Sequence, residues 1–141
     1  MQNTISGALN PIGRDADNYA KEKYESIRKQ SNDILYISRN TNFSYEQVSL
    51  IKGHIFYNKH ILTRKYPDRF DPSFEMAQSW ERLSRKDGKY IQKHDILMLY
   101  HELAEIDLIL KGYSQQEAHD IASKQYDYSK ASNEYYKSLG F

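Results

Sequence analysis

His101, Glu102 and Glu105 stand within a little more than one helical turn of each other in the run HDILMLYHELAEIDLILKG, and His94 and Asp95 precede them by about two turns. At about 100° per residue, His94, His101 and Glu105 fall within about 40° of one another, while Asp95 and Glu102 share an adjoining line. The rest of the run is apolar, and a polar group buried unpaired costs free energy. These side chains therefore either pair with partners on other elements, fixing the packing as a polar network, or line a cleft. An imidazole beside a carboxylate is also the minimal equipment for moving a proton near neutral pH.

HELAE invites comparison with the zinc motif H-E-x-x-H, in which two His one turn apart bind the metal and Glu acts as base. Position 105 here is Glu. A His and a Glu one turn apart can still hold a metal, and His94, with His101 and Glu105, is the set considered for one, with His119 as another source of a third ligand. The leading expectation is metal-independent, with no cofactor: His54 and His101 exchange a proton with Glu102, His119 assists, and cations hold phosphate. The cations are Lys52, Arg64 and Arg69, with Arg82 further along. No G-x-x-x-x-G-K-[ST], G-x-G-x-x-G or G-x-S-x-G occurs, so nucleotide-triphosphate and α/β-hydrolase chemistries lack their motifs.

Charge is distributed unevenly behind the formal net of +1. Residues 1–70 hold 11 Lys/Arg against 7 Asp/Glu, and residues 71–141 hold 9 against 12, so the halves are +4 and −3. Lys52, Lys59, Arg64, Lys65 and Arg69 face only Asp68 between positions 52 and 69. A basic segment beside an acidic one fits a nucleic-acid footprint next to a catalytic pocket, and equally two parts of one fold attracting each other.

The elements that must position these groups read as helices. Asp15 is a candidate N-cap for a helical stretch reaching Thr41, one helix or two with a break near Ser31. Ser44 and Gln47 have capping-box spacing, with Phe43 and Val48 as a hydrophobic staple. The helix they open runs from Tyr45 to about Tyr57, with Val48, Ile51 and Ile55 inward, His54 beside them, and Lys52 and Lys59 outward. Asp71 before Pro72 reads as the cap of a helix carrying Phe74, Ala77, Trp80 and Leu83. The central apolar helix, residues 95–111, ends at Gly112 as a left-handed cap. Ser114 and Glu117 open another helix through about Gln125, and a last helix spans 129–139. No stretch alternates with period two, so no substantial sheet is expected.

These elements predict an all-α fold, a compact orthogonal helical bundle of about five to six helices around the helix at 95–111. At 141 residues one core is the expectation: residues 1–13 as a flexible leader and 14–141 as a single α-helical effector-type domain. Without Cys there is no disulfide or thiolate site. No run reaches the roughly 18 apolar residues of a membrane span, and MQNTISGALNPIG lacks the charged and apolar regions of a signal peptide. The segment ILYISRNTNFSYEQVSLIKGHIF also has the outline of a helix-turn-helix DNA binder, though its second helix supplies a single cation.

Residues from about 34 to 131 resemble a C-terminal module of bacterial polymorphic toxins, including LXG-type secreted toxins, and of phage minor head proteins. The pattern lies in SYEQVSLIKGHIF at 44–56, RFDPSFEMAQSWERL at 69–83, HDILMLYHELAE at 94–105 and SQQEAH at 114–119. The resemblance implies a toxin-type effector delivered by a larger carrier, acting in the bacterial cytoplasm and neutralised by a cognate immunity protein. It implies a nuclease, on RNA before DNA, with polar positions at His54, Arg69, Asp71, Arg82, His94, Asp95, His101, Glu102, Glu105 and His119. The alternatives are a non-catalytic phage or toxin interaction module, the helix-turn-helix domain, and a metal-dependent hydrolase using His101 and Glu105.

Overall fold

The structure, a computed structural model, describes residues 11–58 and 69–141. Among them are seven α-helices and no strand: α1 Arg14–Lys29, α2 Asp33–Asn40, α3 Tyr45–Lys52, α4 Phe74–Ser84, α5 Lys93–Leu110, α6 Gln115–Gln125 and α7 Tyr128–Ser138. The fold is an all-α bundle, with one helix more than the upper expectation. The N-terminal helical stretch breaks where Gln30 turns extended (ψ 145°), leaving α1 and α2 as separate rods. Most of the expected leader, and Lys59, His60, Arg64 and Lys65, lie outside the described residues.

Local chemistry sets the helix boundaries. Ser44 accepts from the Gln47 N–H while the Gln47 side chain accepts from the Ser44 N–H, and Ser114 and Glu117 make the same reciprocal pair at α6. Each pair satisfies two amides that a helix start otherwise leaves bare. Two caps differ from expectation. Ser73 rather than Asp71 caps α4, accepting from the Met76 N–H at 3.3 Å, so Pro72 precedes the helix instead of opening it. At α1 the turn starts one residue before Asp15, after Gly13, and Asp15 sits in the first turn, where a negative charge favours the helix dipole. Gly112 adopts φ 103°, and the amides of Gly112 and Tyr113 reach back to the carbonyls of Ile109 and Leu108. That reversal turns α6 back alongside α5.

The core gathers Tyr24, Ile27, Ile37, Val48, Ile51, Ile55, Phe56, Ala77, Trp80, Leu83, Met98 and Leu99. Phe56 stacks edge-on against both Tyr24 and Trp80, so α1, the end of α3 and α4 are tied by one aromatic run. Trp80 is fully buried, as its helical spacing predicts, and its indole N–H donates to Asp33 at 3.0 Å.

Helix α5 packs against α3, α4, α6 and α7 and holds the central place expected of it. Its burial is inverted relative to its composition. The buried residues are His94, Asp95, Met98, Leu99, His101, Glu102 and Glu105, whereas Leu97, Leu103 and Ile106 are half-buried and Leu110 is 81% exposed. The polar line thus faces the middle of the bundle. No helix among the described residues is long and apolar enough to cross a membrane.

Candidate functional site

Helix α3 does not end at Lys52. Residues Gly53–Tyr57 continue it as a wider π turn, in which the Asn58 N–H bonds the Gly53 carbonyl at 2.8 Å. π turns of this kind are rare and concentrate at functional sites. This one carries His54 inward, 4% of its side chain exposed, with the Phe70 ring edge-on to the imidazole at 5.5 Å between centroids.

Four side chains from three helical segments then meet at one carboxylate. Glu105 Oε1 lies 3.0 Å from His54 Nε2 and accepts from Gln115 Nε2 at 2.8 Å. Glu105 Oε2 lies 2.5 Å from His101 Nε2, one turn away on α5, and 2.8 Å from His119 Nδ1 on α6. His101 Nδ1–H donates to the Tyr126 carbonyl at 3.0 Å, which fixes its ring. Glu102 joins from the same helix, its Oε2 3.5 Å from His54 Nε2, buried and without a hydrogen-bond partner.

The groups titrate according to this arrangement. Burial favours protonation of Glu105, but hydrogen bonds from His101, His54 and Gln115 outweigh it and hold the carboxyl well below the usual range. Burial favours the neutral ring of His101, yet the bond to Glu105, the nearby Glu102 and the Tyr126 carbonyl push its pKa up to about 9. Glu102 lacks such compensation: burial, then the neighbouring Glu105 charge, push it up to about 8 against a smaller pull from His101. Near neutral pH the site therefore holds one carboxylate and one carboxylic acid side by side, a proton acceptor and a proton donor in adjacent places.

Two clefts open onto this cluster. One, of about 240 Å³, is lined by His101, Glu102, His119, Tyr128, Ser132 and Asn133, among others. The other, of about 300 Å³, includes Phe70, Asp71, Glu102, Glu105, Gln115 and His119. His119 stands at the mouth of both, with 51% of its side chain exposed.

His54, His101, Glu102 and His119, the catalytic residues expected from sequence, thus come together. The cations do not. Lys52 is buried, contrary to the outward position expected, with Nζ 2.9 Å from Asp33 and from the Gln30 carbonyl. Arg82 is fully buried and forks onto Asp95, with Nε and Nη2 each at 2.8 Å. Both are buried struts inside the fold, so neither presents its charge at the surface to phosphate. Arg69 is exposed, precedes Phe70 in the chain and donates to the Tyr57 carbonyl at 3.3 Å. Arg64 lies outside the described residues.

His94 belongs to a different group from His101 and Glu105. It meets Arg82 Nη2 at 3.1 Å and the Tyr135 ring at 4.7 Å, two turns away along α5. The third imidazole at Glu105 comes from His119 instead. The helix-turn-helix outline is present as α2 and α3, but α3 turns Glu46, Ser49 and Leu50 to solvent and buries its single Lys, so the second helix presents no cation to DNA and only Arg39 at the end of α2 is exposed.

Sequence reasoning missed Gln115 and the central position of Glu105. The i,i+4 spacing of His101 and Glu105 was the available signal for the second; nothing marked Gln115 beyond its place in SQQEAH. Comparisons with known proteins add no family: no protein-family model, no curated protein and no solved structure matches the chain.

Proposed function

We propose that this chain is a hydrolytic effector domain that cuts phosphodiester bonds in nucleic acid, RNA before DNA. The observation that carries the reading is the convergence of His54, His101 and His119 on Glu105, with a protonated Glu102 beside them, at the floor of open clefts. Phosphodiester hydrolysis needs a base for the attacking oxygen, an acid for the leaving oxygen and positive charge near the phosphorane. Glu102 and the imidazoles supply the first two, and the imidazolium of His101, with the exposed guanidinium of Arg69, supplies the third.

The resemblance of residues 34–131 to the C-terminal module of polymorphic toxins and phage minor head proteins supports the same direction. On that reading the domain is delivered by a carrier, works in the bacterial cytoplasm and meets a cognate immunity protein. Purified protein is expected to degrade total RNA or tRNA, and His101→Ala and Glu102→Ala to abolish it. Intact RNA and DNA after incubation with the folded parent protein, with and without divalent metal, would remove the reading.

A further inference from the structure

We propose that His101 Nε2, Glu105 Oε2 and His119 Nδ1 bind a divalent transition-metal ion, zinc by their ligand chemistry, with the open side of its coordination shell facing the cleft. Two imidazole nitrogens and one carboxylate oxygen are a ligand set used by catalytic zinc, which keeps a position for water. The three atoms lie within 4.8 Å of one another. Tetrahedral zinc at the usual bond lengths separates its ligand atoms by about 3.3 Å. The Glu105 contacts, 2.5 and 2.8 Å, would therefore open by less than about 1 Å to admit the ion.

The surroundings hold each buried ligand by its other atom. His101 Nδ1–H is engaged by the Tyr126 carbonyl, which leaves Nε2 to coordinate, and Glu105 Oε1 is held by Gln115 and His54. This is the support that metal ligands receive from their outer shell. The buried Glu102 Oε2, without a hydrogen-bond partner, points to a group the protein alone does not provide. His54, Glu102 and Glu105 form a second cluster of ligand type, but all three are buried, whereas His119 is half-exposed. The ion belongs at His119, while His54 orients Glu105 and Glu102 remains to move protons.

The assignment deepens the hydrolase reading and rests on it only for the chemistry. There His101 becomes a ligand in place of a proton carrier. A dication beside Glu102 favours its ionised form, so metal-bound water gives its proton to that carboxylate, and the resulting hydroxide adds to phosphorus. The P–O bond to the leaving alkoxide breaks, and that alkoxide takes the proton from Glu102. Water and phosphodiester become monoester and alcohol, and Glu102 is returned as it began.

Metal-stripped full-length protein would be titrated with zinc chloride by calorimetry, and its metal content measured after dialysis. One equivalent of zinc per chain is expected. His119→Ala, altering a half-exposed side chain that the fold does not need, is expected to weaken binding by more than about 100-fold, beyond the loss typical of an outer-shell partner. Circular dichroism confirms that the variant folds, and Glu105→Gln gives an independent ligand loss. No binding by the parent, or equal binding by a folded His119→Ala, overturns the site. Zinc bound without phosphodiester cleavage keeps the site and removes the hydrolase reading, whereas RNA cleavage that persists in metal-free protein keeps the hydrolase reading and removes the ion's part in it.

Discussion

Glu105 and His54, 51 residues apart in sequence, meet at 3.0 Å because α3 widens into a π turn where it passes α5. Neither residue is exposed, so the contact orients rather than exchanges with solvent. His54→Gln keeps a donor of similar reach and is expected to retain the fold. It should lower cleavage by roughly 10–100-fold, the cost typical of losing an outer-shell partner. His54→Ala, which leaves Glu105 Oε1 with Gln115 alone, should lower it further. Steady-state rates of the two variants check the order, and equal rates for parent and His54→Ala would place His54 in packing alone.

Arg82 and Asp95 form a fully buried fork. Removing one partner strands the other charge, so Arg82→Met or Asp95→Leu alone is expected to cost about 3–5 kcal/mol in urea denaturation. The double variant should recover most of that loss, because both desolvation costs disappear together. Additive losses in the double-mutant cycle would show that the pair is not one unit.

His94 responds to acid. Burial, the largest cause, together with the Arg82 charge lowers its pKa to about 4 against an opposing pull from Asp95. The unfolded chain takes up this proton below its ordinary value of 6.5, while the folded chain refuses it until about 4. The contribution is therefore complete above 6.5 and lost as pH falls from 6.5 to 4. Midpoints of urea unfolding across that window should fall for the parent, and fall less for His94→Gln; parallel curves would exclude His94 as the source.

Glu102 trades stability for reactivity. A buried carboxyl with an unpartnered oxygen is costly to the fold, and Glu102→Gln keeps its shape without an exchangeable acid proton. Cleavage is expected to drop by about 100-fold or more, the contribution of a positioned acid–base group, with an unchanged or higher thermal midpoint. A variant that loses activity only in proportion to a lowered midpoint would assign Glu102 a structural role.

Much of this organisation is legible in the chain. Ser44–Gln47, Ser114–Glu117 and Gly112 work by local rules, and the structure repeats them. Trp80 and its helical neighbours fall in the core for the same reason. Lys52 shows the limit. Its helical position, about 40° from Val48, already lay beside the inner stripe, but a Lys reads as outward because buried Lys is rare. What buries it is Asp33, 19 residues away, and no local pattern announces that partner. Arg82 and Asp95, 13 residues apart across α4 and α5, are hidden in the same way. The polar line on α5 was visible, yet its division into an Arg82–His94 strut and a Glu105 cluster depends on how α4, α6 and the π turn pack against it. Gln115 enters only through that packing.

The proposed role of the groups gathered at Glu105 is to break phosphodiester bonds. The decisive quantity is the rate at which purified protein cleaves an RNA oligonucleotide, measured for the parent and for Glu105→Gln at matched folded concentration. Defined cleavage products are expected from the parent, and a loss of about 100-fold or more in the variant. Intact RNA with the folded parent, or equal cleavage by both proteins, would contradict that role.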